Sequence, residues 1–261
     1  MTEPAMILTE RRGDVLVLTL NRPDRLNAAP PAMFEAITAA LGDLGDARAV
    51  LIRGAGRAFC SGADVGAGAL TSDDPGAATH AALSHSYNPA ILAVAAARVP
   101  VVSAVRGPAA GIGCSLALAA DLCVAGDTAY FLQAFVNIGL VPDGGASWLL
   151  PRLIGRGRAA EMMLLGERVL AAKALDWGMI HRLVADVDLD AAAFALAERL
   201  AAGPTVALGA IRRGLHAALE SDLATALARE ADDQRAIRGT VDAIEGGTAF
   251  LQKRAPAFKG A

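Results

Sequence analysis

VVSAVRGPAAGIGCSLALAADLCVA, residues 101–125, holds the pattern that decides the fold. Residues 100–105 are a β-branched, apolar run, which predicts a buried strand. Gly107, Gly111 and Gly113 then interrupt the chain, so a glycine-rich turn follows the strand directly. CSLALAA, residues 114–120, predicts a helix opened by that turn, and residues 121–125 predict a second strand. Residues 108–126 are the most apolar stretch in the chain. Gly111, Gly113 and Asp121 within it favour a buried helix and strand over a membrane span.

Working outward, DVLVLTL at residues 14–20 predicts a strand that stops at the turn signal Asn21-Arg22-Pro23. Met33, Phe34, Ile37, Leu41 and Leu44 recur at helical spacing over residues 31–44. Residues 49–53 predict another strand, and a glycine-rich loop spans 54–68. Residues 71–76, TSDDPG, predict a polar surface loop. Residues 80–98 predict a helix that Pro89 kinks or divides. From Ser147 onward helices dominate, with segments at 190–202, 205–221, 222–238 and 241–254. Strands alternating with helices predict an α/β core with crossovers. The chain divides into a core over residues 1–189, which holds the site, and a C-terminal helical region over 190–261 that serves oligomerisation.

Composition narrows the function. The chain has 261 residues and is 54% hydrophobic but only 4% aromatic, so Ala, Leu, Val and Ile must build the core. A net charge of −3 gives no general attraction to nucleic acid or anionic membrane. Three cysteines, Cys60, Cys114 and Cys123, make no disulfide framework and suit a reducing compartment. The N-terminus lacks a signal pattern, so a cytoplasmic protein is expected. His80, His181 and His216 have no partners at ligand spacing, and no metal site is expected; His85, just before Tyr87-Asn88, is a candidate for the acyl pocket but reads more readily as a helix-surface histidine.

Two glycine-rich loops could carry chemistry. One is residues 57–65, RAFCSGADV, after the strand at 49–53. The other is residues 106–113, RGPAAGIG, after the strand ending at Val105. Each alone reads as a tight strand-to-helix turn. Facing each other, their backbone N–H groups would make an oxyanion hole, helped in the second loop by a helix N-terminus. Gly54-Ala55-Gly56 lacks the third glycine of a dinucleotide fingerprint. Cys60 and Cys114 flank these loops without a nearby histidine base, which favours small buried residues over nucleophiles.

Taken in order, residues 21–28 (NRPDRLNA), 59–65 (FCSGADV), 107–121 (GPAAGIGCSLALAAD), 139–145 (GLVPDGG), 177–180 (WGMI) and 253–258 (KRAPAF) resemble segments of the crotonase, or enoyl-CoA hydratase/isomerase, family. The resemblance covers nearly the whole chain. It implies the ClpP/crotonase-like fold of repeated ββα units with a helical C-terminal region. It also implies an acyl-CoA thioester substrate, no cofactor apart from the substrate's own coenzyme A, and a homotrimer or dimer of trimers. By the same resemblance the backbone N–H groups of Ala63 and Ile112 are the oxyanion donors. Arg25, Leu26, Ala28, Ser61, Ala63, Asp64 and Val65 lie near coenzyme A, and Phe258 and Lys259 reach a neighbouring subunit's coenzyme A. Asp64 is also read as holding its loop through backbone N–H groups.

Family hydratases activate water with two glutamates, whose positions here are Ser115 and Phe135. Neither residue can take their place unaided. Asp143 on its own reads as a turn or helix-cap aspartate. Residues 133–143 (QAFVNIGLVPD), 148–152 (WLLPR) and 87–89 (YNP) resemble the ring-epoxide (1,2-epoxyphenylacetyl-CoA) isomerases of phenylacetate breakdown, and this implies that Asp143 is the catalytic base. Tyr87, Asn88 and Phe135 are then expected in the acyl pocket, and a raised pKa is expected for Asp143. Three readings follow: an acyl-CoA isomerase that shifts an enoyl double bond or rearranges a ring epoxide, an enoyl-CoA hydratase with a rebuilt water site, or a catalytically idle acyl-CoA binder.

Overall fold

The structure, a computed structural model, describes residues 5–64 and 73–261. Its main sheet has six strands: β1 (Ile7–Arg12), β2 (Val15–Leu20), β3 (Ala49–Gly54), β4 (Val101–Val105), β6 (Leu122–Gly126) and β9 (Arg182–Val184), side by side in that order. Only the β1–β2 pair is antiparallel. A small second sheet joins β5 (Pro108–Ala110), β7 (Tyr130–Leu132) and β8 (Val169–Leu170).

The inner strands β2, β3, β4 and β6 are largely apolar because the sheet is covered there on both faces. Alternate residues divide cleanly between two cores. Leu18, Leu20, Val50, Ile52, Val101 and Val105 face α1 (Pro31–Gly42), α3 (Asn88–Ala96) and α4 (Ile112–Ala119). Val15, Val17, Ala49, Leu51, Val102, Ala104 and Val124 face α7 (Leu189–Ala201). Helix α7 presents Leu189, Ala193, Leu196, Ala197 and Ala201 on one stripe. It begins at the boundary read near residue 189, and its apolar stripe forms one wall of the second core.

The helix expected over 80–98 starts earlier. Asp74 caps α2 (Pro75–Ala82) by accepting from the Ala77 N–H. A single π turn, Leu83–Tyr87, then leads into α3, with Pro89 in the first turn of α3. So Asp73 to Gly76, read as loop, includes a helix start, while residues 71 and 72 lie outside the described residues. The remaining helices are α5 (Ala146–Leu165), α6 (Ala171–Asp176), α8 (Thr205–Ala218), α9 (Leu223–Ile237) and α10 (Val241–Leu251). Helix α5 is broken at Gly155, whose φ is 77°. Among the described residues no single helix is long and apolar enough to cross a membrane.

The C-terminal segment is tied down. The buried Asp242 carboxylate accepts from the N–H groups of Lys259 (2.6 Å) and Gly260 (2.8 Å). The Arg48 guanidinium donates to the Phe258 carbonyl.

Candidate active site

Three chain segments leave the carboxyl ends of parallel strands and meet, as ligand sites in α/β sheets commonly require. Residues 21–30 follow β2, residues 55–64 follow β3, and residues 106–111 follow β4. Asn27 joins the first two. It is fully buried, with φ 55°. Its side-chain N–H₂ donates to the carbonyls of Ala55 (2.9 Å) and Ala58 (2.8 Å), and its Oδ1 accepts from the Arg22 N–H. The Ala29 N–H donates to the Gly62 carbonyl (2.8 Å), and the Ala29 carbonyl accepts from the Asp64 N–H (2.9 Å). These bonds flank Ala63 in a parallel bridge, so the N–H of Ala63 points away from Ala29. Among the described residues it has no hydrogen-bond acceptor.

The second loop packs directly on the first. The Cys60 N–H donates to the Pro108 carbonyl, and the Ala110 N–H donates to the Cys60 carbonyl. A side chain at Gly113 would sit 2.6 Å from the Cys60 backbone oxygen, so only glycine permits this approach. Ile112 is the first residue of α4, and its N–H has no intrahelical acceptor. Each of two touching loops therefore carries one uncommitted N–H. Phe135 covers the seam: a Cβ on Gly111 would lie 3.5 Å from its ring and 3.8 Å from the Gly62 Cα.

Asp143 is docked onto α4. The next residue, Gly144, has φ 57° and passes so close that a Cβ there would be 2.3 Å from Ile112 Cδ1 and 2.8 Å from Ser115 Cβ. The buried Ser115 hydroxyl donates to the Asp143 carbonyl (3.1 Å). Oδ1 of Asp143 is buried and, among the described residues, has no hydrogen-bond partner. Burial pushes the carboxyl from its ordinary 3.8 up to about 6, because the charged form loses its water. Burial, then the charge of Asp143, raises the Tyr87 phenol to about 12, which puts Tyr87 within electrostatic reach of the carboxylate. Burial also raises Cys60 and Cys114 to about 12, unsuited to thiolate chemistry.

The residues expected near coenzyme A separate into two groups. Arg25, Leu26, Ala28, Ser61, Ala63 and Asp64 come together: the Ser61 N–H donates to the Leu26 carbonyl and its hydroxyl to that of Arg25. The Arg25 side chain is exposed and, among the described residues, unpaired. The loop that the Asp64 carboxylate is expected to hold runs on into residues outside the described ones; within the described residues Asp64 has a side-chain partner. Its carboxylate pairs with the Arg22 guanidinium at 2.7 Å, and that guanidinium also donates to the Ala28 carbonyl. Val65 lies outside the described residues. Phe258 and Lys259 sit elsewhere. Arg48, the partner of Phe258, precedes β3, whereas the site follows it, a separation of about 15–20 Å at roughly 3.3 Å per residue. Tyr87 is buried with its hydroxyl on the Ala29 carbonyl, while Asn88 and His85 are exposed. The sequence reading missed Arg22, Asn27 and the supporting bond from Ser115. Asn27 sits inside the quoted NRPDRLNA motif, and its burial was the signal available there.

A family model described as enoyl-CoA hydratase/isomerase matches residues 10–261. A probable enoyl-CoA hydratase of Rhodobacter capsulatus is 44% identical over 245 residues, covering 94% of each chain. The 1,2-epoxyphenylacetyl-CoA isomerase of Escherichia coli K12 is 40% identical over 257 residues, covering 97% of this chain and 98% of that one. The crystal structure of an enoyl-CoA hydratase from Polaromonas sp. JS666 superposes with a TM-score of 0.92 at 32% identity, covering 97% of this chain and 99% of that one.

Proposed function

Because the chain belongs to the enoyl-CoA hydratase/isomerase family, we propose that it is an acyl-CoA isomerase in which Asp143 moves a proton between two carbons of a bound enoyl thioester. One observation carries the reading. A buried carboxylate oxygen stands beside two touching loops, and among the described residues it has no hydrogen-bond partner and each loop carries an uncommitted N–H. The ionised Asp143 removes a proton from the carbon next to the double bond. The electron pair delocalises onto the thioester oxygen, which the N–H groups of Ala63 and Ile112 stabilise. The carboxylic acid then returns the same proton at the far end of the delocalised system, and the double bond has moved. A pKa near 6 suits a group that must both take and return a proton near neutral pH.

The hydratase name of the Rhodobacter capsulatus relative favours a second reading, water addition. Against it, Ser115 and Phe135 stand at the water-activating positions, and the Ser115 proton is committed to the Asp143 carbonyl. Arg25, beside the first loop, is the proposed contact for a coenzyme A phosphate. Phe258 and Lys259 lie too far from their own chain's site, which supports their reaching the coenzyme A of a neighbouring copy in a trimer or dimer of trimers.

The test is a panel of 2-enoyl, 3-enoyl and aromatic acyl-CoAs, read by mass and ultraviolet absorbance. Isomerisation leaves the mass unchanged and moves the absorbance. A gain of one water mass with no double-bond shift would replace this reading with hydration, and no change on any substrate would favour an idle binder.

A further inference from the structure

We infer that Tyr87 is a positioning residue for the Ala63 donor: its hydroxyl holds the carbonyl of Ala29, the residue that sets both flanks of Ala63. The inference rests on the oxyanion reading given above. Ala29 is the backbone bridge between the 21–30 segment and residues 62–64, beside the side-chain link from Arg22 to Asp64. Its N–H donates to Gly62, and its carbonyl accepts from the Asp64 N–H (2.9 Å) and from the Tyr87 hydroxyl (2.8 Å). Both lone pairs of that oxygen are thus used. The next two residues, Pro30 and Pro31, have no N–H to lend a further anchor. Without the phenol, the Ala29 carbonyl keeps the Asp64 N–H as its one partner among the described residues, and the bridge that flanks Ala63 is held less firmly.

The way the chain delivers Tyr87 supports the inference. The π turn Leu83–Tyr87 inserts itself between two α-helices, a geometry that is rare and frequent at functional sites. It turns Ser86 and Tyr87 inward, and both are buried. The Ser86 hydroxyl donates to Glu35 (2.6 Å), and the Tyr87 ring meets Phe34 edge-on at 4.9 Å. The Phe34 ring thus packs on the Tyr87 ring, and the phenol bonds to the Ala29 carbonyl. Its single proton is spent on that carbonyl and stays there across the neutral range, since burial and the nearby Asp143 charge both oppose ionisation. Tyr87 acts through the backbone and takes no proton from substrate.

The experiment compares wild type, Tyr87→Phe and Ser86→Ala. Tyr87→Phe keeps the ring against Phe34, so the fold is retained. The probe is an aromatic 2-enoyl-CoA whose ultraviolet band moves to the red when its thioester carbonyl is polarised by bound N–H donors. We expect the red shift in wild type and in Ser86→Ala, and a clearly smaller one in Tyr87→Phe. Turnover of Tyr87→Phe should fall about tenfold with KM changed less than twofold, a part of the loss seen when an oxyanion donor is removed outright. A full red shift and full turnover in Tyr87→Phe would overturn the inference. An equal loss in Ser86→Ala would also overturn it, by tracing the effect to packing of the π turn. Absence of any shift in wild type would instead overturn the oxyanion reading itself.

Discussion

The cost of burying Asp143 separates function from stability at a single residue. Its carboxyl is displaced from 3.8 to about 6 by burial. An acid whose folded pKa is raised binds its proton more tightly when folded, so it destabilises the protein as pH rises from about 4 to 6. At pH 7 the ionised group is a net cost of at most about 3 kcal/mol, at roughly 1.4 kcal/mol per pH unit. Asp143→Asn is therefore expected to raise the melting temperature at pH 7 while lowering turnover on the order of a hundredfold or more, with CoA-ester binding little changed. A variant that keeps full isomerase activity would remove Asp143 from the mechanism. In wild type, kcat/KM should rise with pH through about 6 and level off above it, because only the ionised base accepts a proton. Gly144 offers an independent probe. A methyl group there would collide with Ile112 and Ser115 at a φ of 57°. We expect Gly144→Ala to cost about 1–3 kcal/mol of stability and most of the activity, and denaturant unfolding alongside turnover checks both.

Among the elements, α8 shows how the C-terminal helices are joined to the core. Arg212 on α8 is buried. Its guanidinium donates to Asp121 Oδ2 (2.6 Å), to the Val94 carbonyl (2.9 Å) and to the Ala97 carbonyl. Asp121 also accepts from the Val101 N–H at the start of β4 (2.7 Å). One side chain thus binds α8 to the end of α3 and to the strand that feeds the second loop. Arg212→Ala would leave Asp121 and two carbonyls short of a partner, and a loss of about 3–5 kcal/mol is expected for breaking such a pair. Chemical denaturation should show it as a lower midpoint with little change in slope. A variant as stable as wild type would mean that water replaces the arginine.

For the whole molecule, the exposed apolar surface concentrates on α5 and the C-terminal helices. Leu223, Phe250 and Leu251 are 75%, 82% and 82% exposed, and Leu164 and Leu215 add to the same set. So many large apolar groups in water favour burial against another copy. Light scattering at micromolar concentration should return the mass of a trimer or hexamer, and Phe250→Asp with Leu251→Asp should lower it. A monomeric wild type would end both the oligomer proposal and the proposed reach of Phe258 and Lys259 into a neighbouring site.

The chain's own sequence determined the core strands β2, β3, β4 and β6, the helices between and after them and the two glycine-rich loops. Those features are written in local patterns: β-branched runs, helical spacing, glycine at close approaches, and motifs a few residues long. It did not reveal β1, whose ILTERR keeps one buried residue in six and pairs only along a sheet edge. Nor did it reveal that Ala-rich α7 is a wall of the core, since alanine marks a helix without marking what covers it. The bonds that hold the site were decided in three dimensions. Arg22 meets Asp64 across 42 residues, Tyr87 meets Ala29 across 58, and Ser115 meets Asp143 across 28. No local pattern encodes such pairs, because each exists only once the sheet and helices have packed and brought distant backbone within hydrogen-bond reach.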